Sequence, residues 1–343
     1  MVVTASMRSV DRGSSVFLAA DIGGTHARVA LMRALPGEGH RLETLAYRSY
    51  PCAQFPSLAA LLRAFLDTDT QQPVRHCVLA CAGQLVGEEV VNDNLPWPIG
   101  TGALRQALGL EHVAVLNDFE ALGYALEGFA QQRRHLCGPT VASGGPVLVI
   151  GPGTGLGAVV HLPGAAGGVV LTTEAGQMAF AAHSLRERAV LSELAPQGGY
   201  VEVERIVSGR GLLTLYAALC ALDGVAPRLQ APEAVTAAAQ DDAQAAEAVS
   251  MFCAALGGLA GDLALAFMAT GGVYLAGGFL SSMQAELARS AFHLRFLHGR
   301  SARTLLAPVP VWVVEHGRNG VLGAARWYLD KGLPAFPSGG QAA

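Results

Sequence analysis

Lysine is all but missing. The 343-residue chain carries 23 Lys and Arg side chains, and Lys331 is the single lysine. That scarcity removes several mechanisms at once. A P-loop requires a lysine in its phosphate loop, a Schiff-base enzyme requires one in its pocket, and a protein kinase requires one on a strand. Charge of either sign is scarce too, with charged residues at 15%, a net charge of −4 and scattered arginines. Such a pattern leaves no nucleic-acid footprint. The six cysteines, Cys52, Cys77, Cys81, Cys137, Cys220 and Cys253, form no Cys-x-x-Cys pair and no zinc spacing. Most lie in apolar runs, as small hydrophobes of a reduced, cytoplasmic protein do. The N-terminus lacks the apolar core of a signal peptide, and residues 1–14 read as a flexible leader. The most apolar later stretch, 253–280, is interrupted by Asp262 and several glycines. It reads as a buried helix followed by a strand, not as a membrane span.

What is present is apolar and glycine-rich, with 51% hydrophobic residues and 42 glycines. The length suffices for two domains with substantial cores. Strand-like runs at 16–20, 27–32, 77–81 and 113–116 alternate with helical patterns at 57–67, 101–108 and 119–128. The theme repeats with strands near 147–151, 157–162, 272–276 and 310–314. Helices follow near 184–194, 208–222, 233–239, 243–270, 281–290 and 319–329. The alternation predicts an α/β protein.

The segment VFLAADIGGTHARVAL at 16–31 ends an apolar run in Asp21 and then strips the chain to Gly23, Gly24 and Thr25. An echo lies 130 residues on: LAADIGGTHARVA aligns with LVIGPGTGLGAVV, Asp21 over Gly151. Each reads as a strand, a Gly/Thr turn and a second strand, so the two lobes are expected to open with the same hairpin, their turns facing one cleft. Glycine lets successive backbone N–H groups form a nest for an anion, and Thr25 and Thr154 add hydroxyl donors. Together Gly23, Gly24, Thr25, Gly153 and Thr154 read as a phosphate clamp. A carboxylate beside phosphates repels them unless a cation intervenes, so Asp21 suggests Mg²⁺ with a nucleotide, held through water, or else simply caps the turn. Gly271–Gly278 is a third glycine-rich segment, and Gly277 and Gly278 end a strand where something flat could pack.

A strand at 112–116 runs into Asn117-Asp118 and a helix. Ligands of open α/β sheets bind at such strand ends. An ionised Asp118 there could accept a proton from a hydroxyl attacking a γ-phosphate, or could simply cap the helix. Glu174, after the strand-like Val169-Val170-Leu171, and Glu202 and Glu204 before a helix are acidic positions suited to a polyol, as are Asn94 and Asn117.

These residues resemble the bacterial glucokinase family of the sugar kinase, Hsp70 and actin superfamily. Six blocks match in order over about residues 15 to 330: DIGGT-x-AR at 21–28, LNDFEAL at 116–122, GPGTGLG at 151–157, ERIVSGRGL at 204–212, GGVYLAGG at 271–278 and GRNGVLGAA at 317–325. The resemblance implies a two-lobed actin-like ATPase (ribonuclease H-like) fold. A smaller lobe would comprise 15–127 and 317–332, and a larger one 128–316, with the sugar in the cleft and a flexible tail at 333–343. It implies phosphorylation of the glucose 6-hydroxyl by ATP with Mg²⁺, with Asp118 as general base. Asn94, Asn117, Glu174, Gln177 and Glu204 would hold the sugar, the two Gly/Thr turns the phosphates, and Gly277 and Gly278 the adenosine. A cytoplasmic homodimer is expected. Two departures stand out. His26 replaces the family's Asn after GGT, and Glu174-Ala175-Gly176-Gln177 replaces Glu-Gly-Gly-His. Ala175 lacks glycine's freedom at positive φ, and losing one uncharged hydrogen bond costs about 0.5–1.5 kcal/mol. Weaker or altered sugar binding is therefore expected. A kinase-derived sugar-binding regulator and a kinase for another hexose remain the alternatives.

Overall fold

The structure is a computed structural model that describes residues 16–35, 41–70, 72–92, 95–164, 168–297, 300–315 and 317–331. The chain divides into two units, Met1–Leu126 with Arg318–Ala343, and Glu127–Gly317.

The first unit begins with β1 (Val16–Ile22), β2 (His26–Ala34) and β3 (Leu42–Pro51), then α1 (Leu58–Asp69) and β4 (His76–Cys81). A small sheet of β5 (Gln84–Val86), β6 (Glu89–Val91) and β7 (Ile99–Gly100) precedes α2 (Thr101–Leu108), β8 (His112–Asn117) and α3 (Asp118–Tyr124). The main sheet runs β3-β2-β1-β4-β8, with β1, β4 and β8 parallel. Side chains alternate across it with period two. Leu18, Ala20, Ile22, Leu79 and Cys81 point into one core with Leu61, Phe65 and Leu104 of α1 and α2. Phe17, Ala19, Met32, Val78 and Ala80 point into another, with Ala121 of α3 and with Val321, Ala324 and Tyr328 of the C-terminal helix (Asn319–Lys331). Gly323 permits the closest approach there: a Cβ on it would sit 2.6 Å from the Ala121 carbonyl carbon.

The second unit holds α4 (Leu126–Gln132), β9 (Arg134–Cys137), β10 (Val147–Pro152), β11 (Leu156–Leu162), β12 (Val169–Thr173), α5 (Leu185–Leu194), α6 (Gly209–Leu222), α7 (Pro232–Ala238) and α8 (Ala243–Ala266). β13 (Gly272–Ala276), α9 (Gly278–Ser282), α10 (Gln284–Arg289), α11 (Phe292–Phe296), α12 (Arg300–Leu306) and β14 (Val311–Val314) complete it. Its sheet runs β12-β11-β10-β13-β14-β9, with β10, β13 and β14 parallel. The first five strands repeat the order of the other sheet, so the sequence echo marks a repeated topology.

Helix α8 is the element apolar and long enough to cross a membrane among the described residues, and 83% of its most apolar window is buried inside this unit. Gly257 and Gly261 let the backbone of α11 approach, since a Cβ on either would overlap or crowd the carbonyls of Phe292 and Phe296. Arg295 of α11 pairs with Glu187 of α5 at 2.6 Å, the side chains only 12% and 4% exposed.

The elements differ from the sequence reading at their ends. The helix expected over 243–270 stops at Ala266, and Met268 takes a positive φ of 48°. The one expected over 281–290 is two short helices, α9 and α10, and the one over 119–128 breaks at Ala125.

Candidate active site

In the first unit, Asp21, Cys81 and Asn117 sit at the carboxyl ends of the parallel strands β1, β4 and β8, in register: Ile22 pairs with Cys81 and Cys81 with Asn117. With strands about 4.8 Å apart, the Asp21 and Asp118 ends lie two strand spacings, roughly 10 Å, from each other. Burial pushes the Cys81 thiol between them up to about 12, and the charges of Asp118 and Asp21 push in the same direction.

Asp21 is buried, at 3% exposure. Its Oδ2 accepts from Arg28 Nη1 at 3.3 Å across the β1–β2 pair. The first turn of the C-terminal helix closes on it, for a Cβ on Gly320 would lie 2.7 Å from its Cγ. The turn that follows is closed by the Gly23 N–H donating to the His26 carbonyl at 3.0 Å, and is tied to the residue just after β3 by Cys52 N–H donating to Thr25 O at 2.8 Å. Gly24, Thr25 and His26 are exposed on it.

The cap of α3 is Asn117, not Asp118. Asn117 Oδ1 accepts the N–H groups of Phe119 at 2.8 Å and Glu120 at 3.2 Å, while Asp118 is the first helical residue. Capping commits the Asn117 oxygen and leaves its amide N–H₂ as the donor end. Asp118 Oδ1 accepts the Phe119 N–H at 2.9 Å, which orients the carboxylate on the first turn. The helix itself is anchored by Trp327 Nε1, which donates to Glu120 Oε1 at 2.9 Å.

In the second unit the β10–β11 hairpin matches the first, with Gly151 opposite Gly157 and Pro152 opposite Leu156. Its turn, Gly153–Gly155, is one residue shorter than Gly23–His26, so the echo slips by one position in the second strand. Gly153 N–H donates to Gly155 O, and Gly209 N–H donates to Gly153 O, both at 2.8 Å. Gly277, with φ 139°, lies against this hairpin: a Cβ on it would be 3.3 Å from Pro152 O. Gly278 opens α9 and is exposed.

Glu204 ties two turns together. Its Oε1 accepts from Gln177 Nε2 at 2.9 Å and its Oε2 from Leu156 N–H at 3.3 Å. Gln177 N–H donates to Glu174 O at 3.0 Å, and Tyr200 Oη donates to Gln177 O at 2.6 Å. The turn does not call on the positive φ that Ala175 would resist. Ala175 is buried in a short 3-10 turn, and among the described residues Met268 alone of the non-glycines has a positive φ. Gly155 and Gly176, which leave room for the Glu204 carboxylate, and Tyr200, which holds Gln177, were missed; their roles depend on contacts across 23 to 49 positions of chain, which no local pattern shows. Asn94 lies outside the described residues.

For a divalent cation, the described residues bring together no group of three His, Cys, Asp or Glu. Asp21 offers one buried carboxylate, already bonded to Arg28. That suits a Mg²⁺ held mainly by phosphates and water, which needs only an outer carboxylate.

Two sheets of one strand order, each opened by an antiparallel hairpin with a Gly/Thr turn, define the actin-like ATPase fold of the sugar kinases. The glucokinase family profile matches residues 18–331. A glucokinase-like protein of Xylella fastidiosa (strain 9a5c) is 44% identical over 319 residues, 92% of this chain and 95% of that one. A glucokinase of Marinobacter nauticus is 39% identical over 311 residues, 90% and 95% of the two chains. The crystal structure of a glucokinase from an Antarctic psychrotroph superposes with a TM-score of 0.79 at 31% identity, covering 92% of this chain and 98% of that one. The chain belongs to the glucokinase family, and with it to the hexose kinases.

Proposed function

We propose that this hexose kinase transfers the γ-phosphoryl group of ATP to the 6-hydroxyl of glucose, with Asp118 as general base. The carrying observation is that Asp118 and the Gly23–Thr25 turn leave the same edge of one sheet, at the carboxyl ends of β8 and β1. A base and a phosphate cradle are thereby fixed by the same hydrogen-bonded framework. As the hydroxyl oxygen bonds to the γ-phosphorus, its proton passes to the Asp118 carboxylate. The bond from that phosphorus to the β–γ bridging oxygen breaks, and ADP leaves with the electron pair.

The remaining roles follow from donor and acceptor chemistry. Glu174, Glu204, Gln177, Asn117 and Asn94 bind sugar hydroxyls, each of which both donates and accepts. Glu204 holds Gln177 by its amide N–H₂, so Gln177 presents its carbonyl oxygen and reads a ligand hydroxyl as a donor. Gly23, Gly24, Thr25, Gly153 and Thr154 bind phosphates through backbone N–H groups and hydroxyls, and Gly277 and Gly278 accept the adenosine against bare backbone. Mg²⁺, when bound, neutralises phosphate charge; Asp21 would hold it through water. We infer a cytoplasmic homodimer: six free thiols in the described structure support a reducing compartment, and a dimer is the commonest closed assembly.

The test is a panel of hexoses with Mg-ATP, following ADP release, beside Asp118→Asn. A general base contributes about 10²–10⁴-fold, so the variant should lose at least that order of glucose turnover while still binding sugar. Unimpaired turnover in the variant removes Asp118 as the base. Turnover on another hexose alone shifts the substrate, and sugar binding without turnover in the wild type replaces the enzyme by a regulator.

A further inference from the structure

His26 stands where the phosphate turn rejoins the sheet, and nothing above uses it. Its Nδ1 lies 3.3 Å from Thr25 Oγ1, and both side chains are exposed. Its backbone is fixed twice: the carbonyl receives the Gly23 N–H at 3.0 Å, and the residue pairs with Pro51 of β3. The imidazole is therefore positioned beside the Thr25 hydroxyl. The two ring nitrogens point in nearly opposite directions, so a phosphate chain that meets that hydroxyl with one oxygen meets the Nε2 edge of the ring with another.

The surrounding charges make this position matter. Arg28 shares the His26 face of β2, two residues on, and is engaged by Asp21 of β1 at 3.3 Å. Arg318 stacks over Tyr47 of β3 with its Cζ 4.3 Å from the ring centroid. On β3, the residues opposite His26 and Arg28 are Pro51 and Ser49, which carry no charge. The chain's one lysine is at 331, at the other end of the C-terminal helix. His26 is thus the basic side chain on the turn itself.

Donor bookkeeping then decides its protonation in the complex. A neutral imidazole has one N–H. If that N–H is on Nδ1 and donates to Thr25 Oγ1, the far nitrogen turns a lone pair toward the phosphate. If it is on Nε2, Nδ1 takes the Thr25 hydroxyl proton and the phosphate loses that donor. Only the imidazolium offers a polyphosphate chain both the Thr25 O–H and, at another of its oxygens, the Nε2–H, with a positive charge besides.

We propose that His26 is a phosphate-binding side chain that contacts the nucleotide as the imidazolium, so that nucleotide binding at neutral to alkaline pH takes up a proton. The proposal rests on the phosphate reading of the Gly23–Thr25 turn. It concerns a residue at which this chain departs from the pattern of the family it resembles, because asparagine can bond a phosphate but cannot carry the proton.

The experiment is calorimetric titration of the full-length protein with Mg and a non-hydrolysable ATP analogue at pH 8, in two buffers of different ionisation enthalpy. Wild type should show net proton uptake. His26→Asn should bind the analogue with that uptake abolished, and His26→Ala should bind it about 3- to 10-fold more weakly, the loss of a charged but exposed hydrogen bond. Glucose affinity, measured on the same samples, should be unchanged in both, which shows that the variants are folded. Equal proton uptake in wild type and His26→Asn overturns the proposal and leaves the phosphate reading standing. Failure of the wild type to bind the analogue, while glucose binds, overturns the phosphate reading and the proposal with it.

Discussion

Gly323→Ala separates packing from helix propensity by sign. Alanine is the better helix former by about 0.8–1.0 kcal/mol, so at an open position in the C-terminal helix the change would stabilise the protein. At Gly323 it cannot do so. The new methyl would overlap the Ala121 carbonyl and lie 2.6 Å from its carbon, against an ordinary contact of at least 3.4 Å. The neighbour is backbone, so no side chain can swing away, and the two helices must separate by roughly 1 Å. Overpacking of this kind costs about 1–3 kcal/mol and occasionally more, so the net effect is a loss of up to about 2 kcal/mol. Function should suffer further. Ala121 is three residues from Asp118, the proposed base, on the same short helix, and displacement of a catalytic group by about 1 Å costs on the order of 10²-fold in rate. Urea unfolding reads the first effect and glucose-dependent ADP release the second. A variant more stable than wild type, with kcat unchanged, would refute the argument that this glycine sets the position of α3.

Other outcomes follow from buried charge and from titration. Arg295→Met should destabilise the second unit by about 3–5 kcal/mol in urea unfolding, since it strands the Glu187 carboxylate, 4% exposed, without its guanidinium. Stability should fall with acid below about pH 6.5. His76 is 3% exposed, with its Nδ1 2.6 Å from Tyr328 Oη, and burial first, then the neighbouring His112, hold its pKa below the ordinary value. Neutral His76 is therefore favoured in the folded state, its contribution is complete above the ordinary imidazole range, and it is lost as pH falls through that range. A His76→Asn variant unfolded across pH 5 to 8 should show a flatter profile than wild type; an identical slope would locate the acid sensitivity elsewhere.

The parts of this fold readable from sequence were those whose signals are local. VFLAADI and HARVALMRA alternate buried cores around a Gly/Thr turn, and LVIGPGTGLGAVV repeats the device, so both hairpins and their strand pairing are plain. β3 was not, because LETLAYRSYP lies at a sheet edge with mixed exposure and no clean alternation. The strands β5, β6 and β7, of two or three residues, are too short to carry a period. In the site, Asp21 and Asn117 stood out because each lies at the end of a strand, and Asp118 because it follows one directly. What holds them did not: Gly320 against Asp21, Gly323 against Ala121 and Trp327 against Glu120 all join residues some 200 or more positions apart. Gln177 looked like a loss. Its bond to Glu204 shows the altered turn to be a closed hydrogen-bonded arrangement, with no strained Ala175 beside it.

The return of the C-terminal helix to the first unit has a consequence for how the protein is made. Phe17, Ala19, Met32 and Val78 leave the ribosome well before Val321, Ala324 and Tyr328, which cover them. The second unit is continuous, Glu127–Gly317, and can close as soon as it is out. With roughly 190 residues intervening and synthesis at 5–20 residues per second, one face of the first sheet waits uncovered for about 10–40 s. The unit that carries Asp21 and Asp118 is thus completed after the other, and the apolar face it leaves bare during synthesis is aggregation-prone surface.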